Sequence, residues 1–301
     1  MTDELTQVVQ WLGLRLCVPA EWEIVRHSLS LEQGSLVFVD RRRETLRIYW
    51  RDCETMPDLN RMVSDQRSKD VVEFAGATVK NLSGYAGWQG TIREEGPEKR
   101  SVHAVKYDSP TQRLIQAIIT EASEAAACKS QRAALLNDIK VVSKANEARD
   151  FCAFGLNVTV PLGFRLLKAT AKPADVTFEF AEVDTKHSRP TGKGVTVHRM
   201  GMAAAWVPED KQQLLVKENP QISLRNFQGI SRGKHPAIVA HGQETRPRLL
   251  SMLGVGRRGD ALLWHCEKMN AVYSVATRYL KRTPLEITAL STPCCDEGRN
   301  D

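Results

Sequence analysis

Leu12-Gly13-Leu14, followed by Val18-Pro19 and Trp22, is the stretch on which the fold turns, because it returns as Phe154-Gly155-Leu156, Val160-Pro161 and Phe164 at a constant offset of 142 residues. The same offset carries Leu36 and Phe38 onto Phe178 and Phe180 without a gap. Five spaced features at one offset mark an internal duplication. A repeat has to be found before local structure is read, since a missed one misassigns the whole fold.

Outward from that stretch, the alternation of Leu46, Ile48 and Trp50 finds its counterpart at Val195, Val197 and Arg199. The second copy is therefore longer across residues 183–194, where the first has only the turn around Arg41-Arg42-Arg43. An insertion that leaves both flanking strands intact belongs at a hairpin tip. Helix signals come next in both copies. Thr55, Pro57 and Asp58 open a capped segment with Leu59, Met62 and Val63 at helical spacing, and Pro208-Glu209-Asp210 open one bearing Leu214 and Leu215. Two hairpins follow, over residues 101–106 and 113–119 and over residues 261–266 and 272–278. Copy one closes with a helix over residues 125–142, whose Cys128, Leu135, Leu136, Ile139 and Val142 share a face. Copy two has no such helix, because Pro284 and Pro293 interrupt the corresponding stretch. These elements predict an α+β fold of two tandem repeats, each a curved antiparallel sheet packed by helices. The expected divisions are residues 1–145, residues 146–290 and a flexible tail over residues 291–301.

The strand ending in Val-Pro with an aromatic three residues on, Val18-Pro19 with Trp22 and Val160-Pro161 with Phe164, followed by the strand around Phe38 or Phe180 and a helix, resembles the PsbP/Mog-like superfamily, including its DcrB and Eag-type domains. The resemblance covers most of each half. It implies a binding, chaperone or adaptor role and carries over no catalytic residue.

Composition fits a globular protein. The chain has 301 residues, 42% of them apolar, and 42 Lys and Arg against 36 Asp and Glu. No uninterrupted apolar run approaches the roughly 18 residues of a membrane span, and the first residues, MTDELTQVVQWLGLRL, lack the basic and apolar regions of a secretory signal. Seven cysteines, with no CxxC pair, argue against a disulfide framework. The expected compartment is the cytoplasm.

Charge singles out the second copy. Residues 1–145 hold 20 basic and 20 acidic side chains, so the whole excess of +6 belongs to residues 146–301. Arg225, Arg232, Lys234, Arg246, Arg248, Arg257 and Arg258 face the single acid Glu244 between them, and Lys186, His187, Arg189 and Lys193 make a basic hairpin tip. Such a surface suits an anion or an acidic partner. Gly254-Val255-Gly256 lacks the following helix that a phosphate loop needs, so it reads as a turn. His265 and Cys266 with Cys294 and Cys295 are the best thiol-imidazole group, but adjacent cysteines do not supply spaced zinc ligands, and strand alternation puts His265 and Cys266 on opposite faces. No metal, cofactor or catalytic residue is assigned. GxSxG, HExxH and GxxxxGK[ST] are absent.

The function expected from these observations is a non-enzymatic, protein-binding adaptor or chaperone-like module with a protein partner, and a homo-oligomer is compatible with it. The competing reading is an anion- or nucleic-acid-binding module that uses the basic surface. An enzyme with an unmarked site stays open beside them.

Overall fold

The computed structural model describes residues 5–41, 43–96, 99–121, 126–184, 189–245, 257–280, 285, 287 and 290. The chain divides into two compact units, Met1–Ala148 and Arg149–Asp301.

The first unit opens with the hairpin of β1 (Leu5–Trp11) and β2 (Leu14–Pro19), joined by Leu12 and Gly13 at φ 47° and 82°. Two successive positive φ values match the right-handed twist of the flanking strands. There follow β3 (Glu23–His27), β4 (Gln33–Val39), β5 (Glu44–Asp52), α1 (Leu59–Glu73), β6 (Thr78–Asn81), β7 (Gln89–Glu94), β8 (Arg100–Asp108), β9 (Arg113–Glu121), α2 (Ala126–Asp138) and β10 (Lys140–Val141), which pairs with β2. Strands β3 to β9 form one antiparallel sheet in the order β3-β4-β5-β9-β8-β7-β6. Helix α1 starts where the sequence signals it, since the Asp58 side chain accepts from the Arg61 backbone N–H at 3.0 Å. It packs Leu59, with Met62 and Val63, on Val105 and Leu114.

The second unit repeats this plan. A hairpin of β11 (Asp150–Ala153) and β12 (Leu156–Thr159) turns through Phe154 and Gly155 at φ 55° and 74°. Then come β13 (Phe164–Lys172), β14 (Asp175–Asp184), β15 (Arg189–Gly201), α3 (Lys211–Glu218), β16 (Ile222–Arg232), β17 (His235–Glu244), β18 (Arg257–Cys266) and β19 (Ala271–Leu280). Their order, β13-β14-β15-β19-β18-β17-β16, matches that of the first sheet strand for strand. The register matches too. In the first unit Phe38, Leu46, Ile119, Val102, Ile92 and Lys80 are successive cross-strand partners. In the second the corresponding row is Phe180, Val195, Thr277, Asp260, His241 and Arg225.

Each sheet has two differently covered faces. Helix α1, or α3 through Leu214 and Leu215, lies on one. The other meets the opening hairpin. There the Arg113 guanidinium donates to the Leu12 carbonyl at 2.7 Å in unit one, and Phe151 packs edge-on against Phe180 at 5.0 Å in unit two.

The expected α+β class is corrected by these elements. Among the described residues there are nineteen strands and only three α-helices, and the large antiparallel sheets, not helix-packed layers, make up the fold. The physical reason is that one face of each sheet is filled by a β-hairpin, while strands such as β6 and β16 are exposed over most of their length and carry no sustained apolar alternation. No described helix is long and apolar enough to cross a membrane.

Candidate functional site

At one end of the hairpin-covered face of the second sheet, apolar side chains give way to two polar rows. One runs Arg225, His241, Asp260 and Thr277 across β16 to β19, and the next runs Ser223, Gln243, Arg258 and Tyr279. All of them except the buried Thr277 line an open cleft of about 350 Å³. Alternation along each strand places residues two apart on the same face, which is why Arg258 and Asp260 both point here while Arg257 does not.

Asp260 is the fixed point of the site. It is buried, and its Oδ1 accepts from His241 Nδ1 at 2.7 Å while Oδ2 accepts from the Tyr279 hydroxyl at 2.8 Å. Both carboxylate oxygens are thus engaged. Burial first, and then the hydrogen bond to Asp260, push the Tyr279 phenol up to about 12, so it remains a donor at neutral pH. The His241 ring is half exposed and, with Nδ1 committed to Asp260, presents Nε2 to the cleft. Strand β16 carries a bulge between Arg225 and Gln228, with Asn226 in the left-handed region at φ 53°. A bulge of this kind re-aims the adjoining side chain, here Arg225, at the rim.

Arg225 and Arg258 are exposed, and neither has an ion-pair partner among the described residues. Elsewhere in the sheets buried arginines are paired, as Arg93 is with Asp70 and Arg100 with Glu94, each at 2.8 Å. Two unpaired guanidiniums and an imidazole therefore stand around a carboxylate whose own oxygens are occupied, which leaves their donors free at the cleft. No hydroxyl or thiol among the described residues hydrogen-bonds His241, and no group of metal-ligating side chains occurs among them.

The other residues of the basic surface lie apart from this cleft. Arg257 turns to the opposite face, 3.8 Å from Glu244. Arg232 donates to the Leu290 carbonyl and lies 5.6 Å over the Trp264 ring. Lys234 sits in the turn between β16 and β17. Arg246, Arg248, Lys186 and His187 lie outside the described residues, as do Gly254 to Gly256, Cys294 and Cys295. Cys266 is buried, and Lys193 pairs with Glu182 at 3.0 Å. Sequence reasoning missed His241, Asp260 and Tyr279, whose association depends on strand register that no local signal encodes.

A second, smaller cavity of about 80 Å³ lies under α1 in the first unit, lined by Gln66, Thr91 and His103 among apolar side chains. Burial lowers the His103 pKa, which suits a neutral interior ring.

No family model matches the chain, so none supports the resemblance to the PsbP/Mog-like superfamily. No curated protein matches it in sequence. Among solved structures, the apo structure of immunity protein TplEi of T6SS from Pseudomonas aeruginosa aligns at 9% identity and TM-score 0.34 over 92% of this chain and 89% of that one. The same protein complexed with "L" peptide aligns at 8% identity and TM-score 0.33 over 94% and 90%. Likeness at this level assigns neither fold nor function to the chain.

Proposed function

We propose that the chain is a protein-binding module whose second unit captures an acidic segment of its partner in the cleft between Arg225 and Arg258. The observation that carries this reading is the pair of guanidiniums left without carboxylates beside an Asp260 that His241 and Tyr279 already satisfy. A bound carboxylate would find charge-assisted donors that need no rearrangement of the sheet. A protein partner fits better than a nucleic acid. The cleft offers two arginines and no exposed aromatic face for base stacking, because Tyr279 is buried with its hydroxyl on Asp260.

The test is titration of the isotope-labelled protein with a hexaglutamate peptide, followed by NMR. The amides of Asn226, His241 and Gln243 should shift, and doubling the salt should weaken the effect. The double charge reversal R225E/R258E should abolish it. Equal shifts in the reversed variant would overturn the proposal, and tighter, charge-dependent binding of mixed-sequence DNA would transfer the cleft to nucleic acid.

A further inference from the structure

The cleft stands where the first unit has a helix. In the first sheet the residues equivalent to Ser223, Gln243, Arg258 and Tyr279 are Thr78, Glu94, Arg100 and Glu121, by the register that aligns the two sheets. Helix α2 covers the Glu121 end of this row. Its Arg132 donates to Glu121 Oε2 at 3.1 Å, and both side chains are buried. One turn further on, the Leu136 carbonyl accepts from Trp88 Nε1 at 2.8 Å. The charges under α2 are closed. Arg100 pairs with Glu94 on the sheet, and Glu121 pairs with the helix.

In the second sheet the arginine is kept and both acids are gone. Arg258 occupies the place of Arg100, but neutral Gln243 and Tyr279 stand where Glu94 and Glu121 do. The adjoining row turns from mostly apolar to polar, from Lys80, Ile92, Val102 and Ile119 to Arg225, His241, Asp260 and Thr277, and the one acid it gains, Asp260, is held by His241 and Tyr279. Only the far end of the corresponding strip has a cover among the described residues. There Leu290 is buried and its carbonyl accepts from Arg232, which lies over Trp264. Among the described residues, the near end is lined by β16 to β19 alone.

We infer that the partner segment is an α-helix that lies across the second sheet in the position α2 holds on the first, with a carboxylate at the place of Arg132. The polarity of the pair is reversed between the units: in unit one the sheet supplies the acid and the helix the base, and in unit two the sheet supplies the bases. Arg225 and Arg258 project from strands two apart and from adjoining rows, which separates their Cα atoms by about 12 Å. Acids four residues apart on one helix face are separated by about 6 Å along the axis, a spacing that two long arginine side chains can bracket. The inference rests on the acidic-segment reading above and adds the conformation and placement of the ligand.

The probe is a 13-residue peptide of the α2 sequence, AACKSQRAALLND, held helical by a hydrocarbon staple on its outer side and carrying Arg132→Glu. Fluorescence anisotropy against the full chain should give binding at least tenfold tighter than for the stapled parent with Arg132. In the R258E chain, checked for folding by circular dichroism, the order of the two peptides should reverse. An unstapled Arg132→Glu peptide with a central proline should lose at least tenfold. If that proline peptide binds as well as the stapled one and still depends on Arg258, the helix is overturned while acid capture stands. If neither binds, both fall. Equal binding of the two stapled peptides, untouched by R258E, overturns the inference in favour of unspecific apolar adhesion. A dimer of the free chain that R258E abolishes in sedimentation overturns it in favour of a second copy.

Discussion

The Arg93 guanidinium on β7 lies 2.8 Å from the Asp70 carboxylate on α1, both buried between helix and sheet, and the same guanidinium stacks 3.5 Å from the Phe74 ring. A buried pair contributes little net stability while both partners are present, but loss of one strands the other charge. Asp70→Ala should therefore cost about 3–5 kcal/mol. Arg93 keeps Glu95 at 2.7 Å, which places the loss at the lower end of that range. Urea unfolding followed by tryptophan fluorescence measures it.

The two units should respond to pH in opposite directions. His198 donates from one ring nitrogen to Asp175 at 2.8 Å and from the other to Glu218 at 2.9 Å, the latter on α3. Burial pulls its pKa down, but the hydrogen bonds to Glu218 and Asp175 outweigh burial and hold it above the usual value. The folded pKa exceeds the unfolded one, about 6.5, so this stability is complete below pH 6.5 and is lost as pH rises through the folded value. His103 in the first unit has the reverse shift, from burial foremost. Its contribution is present above about pH 6.5 and is lost as pH falls through its folded value. Hydrogen exchange from pH 5 to 8.5, corrected for intrinsic rates, should show α3 loosening toward alkali and the β7-β8 region loosening toward acid. His198→Ala should remove the first trend alone.

Much of this architecture is legible in the chain, and its limits are instructive. The turns at Leu12-Gly13 and Phe154-Gly155, the 142-residue offset onto Phe178 and Phe180, and the helix starts at Asp58 and Asp210 are local signals, and each sits where its chemistry requires. The closing helix expected over residues 125–142 is α2, Ala126–Asp138, but its expected last turn is instead strand β10, Lys140–Val141. What misled the fold class was strand content without alternation. Residues 222–232 show no steady apolar period, because Arg225, Asn226 and Arg232 interrupt it, yet they form β16 with a bulge at Asn226. The cleft was half visible. Arg225 and Arg258 stood out by charge, whereas Asp260 meets His241 and Tyr279 only through pairings across 19 residues in each direction, which depend on tertiary register.

The two glycines of the repeated turn should tolerate substitution unequally. Both have positive φ, so alanine strains the backbone by about 1–3 kcal/mol at either. At Gly13 a Cβ would also collide with the Ser143 carbonyl oxygen, part of fixed backbone. At Gly155 the nearest atom is Arg199 Nε at 3.1 Å, on a flexible side chain that can withdraw. Gly13→Ala should lower the melting temperature more than Gly155→Ala, as differential scanning calorimetry would show.

Tyr279→Phe removes one of the two donors that occupy Asp260. A buried carboxylate left short of a hydrogen bond costs about 1–3 kcal/mol. The freed oxygen also becomes available to Arg258, which lies close enough to bias the phenol electrostatically. Competition inside the cleft should then weaken hexaglutamate binding several-fold, although no arginine has been touched. Unchanged affinity in the NMR titration would mean that Asp260 stays fixed by His241 alone.

Arg132→Gln tests the closed counterpart of the cleft. Removal of the guanidinium leaves Glu121 buried under α2 with its ionic partner gone, a loss of about 3–5 kcal/mol near neutral pH. Burial already raises the Glu121 pKa against the opposing pull of Arg132, and without Arg132 it rises further. A raised folded pKa favours the protonated carboxyl, so the penalty is present above that pKa and fades as pH falls through it. The deficit of the variant relative to the parent should therefore shrink between pH 7 and pH 4.5, while Arg132→Lys, which keeps a charge, should show a smaller deficit and less pH dependence. Arg132 Nε also donates to the Tyr85 hydroxyl at 3.0 Å; a deficit constant with pH would mean that Arg132 acts through that contact and not by neutralising Glu121, and the charge logic that distinguishes the two units would lose its basis.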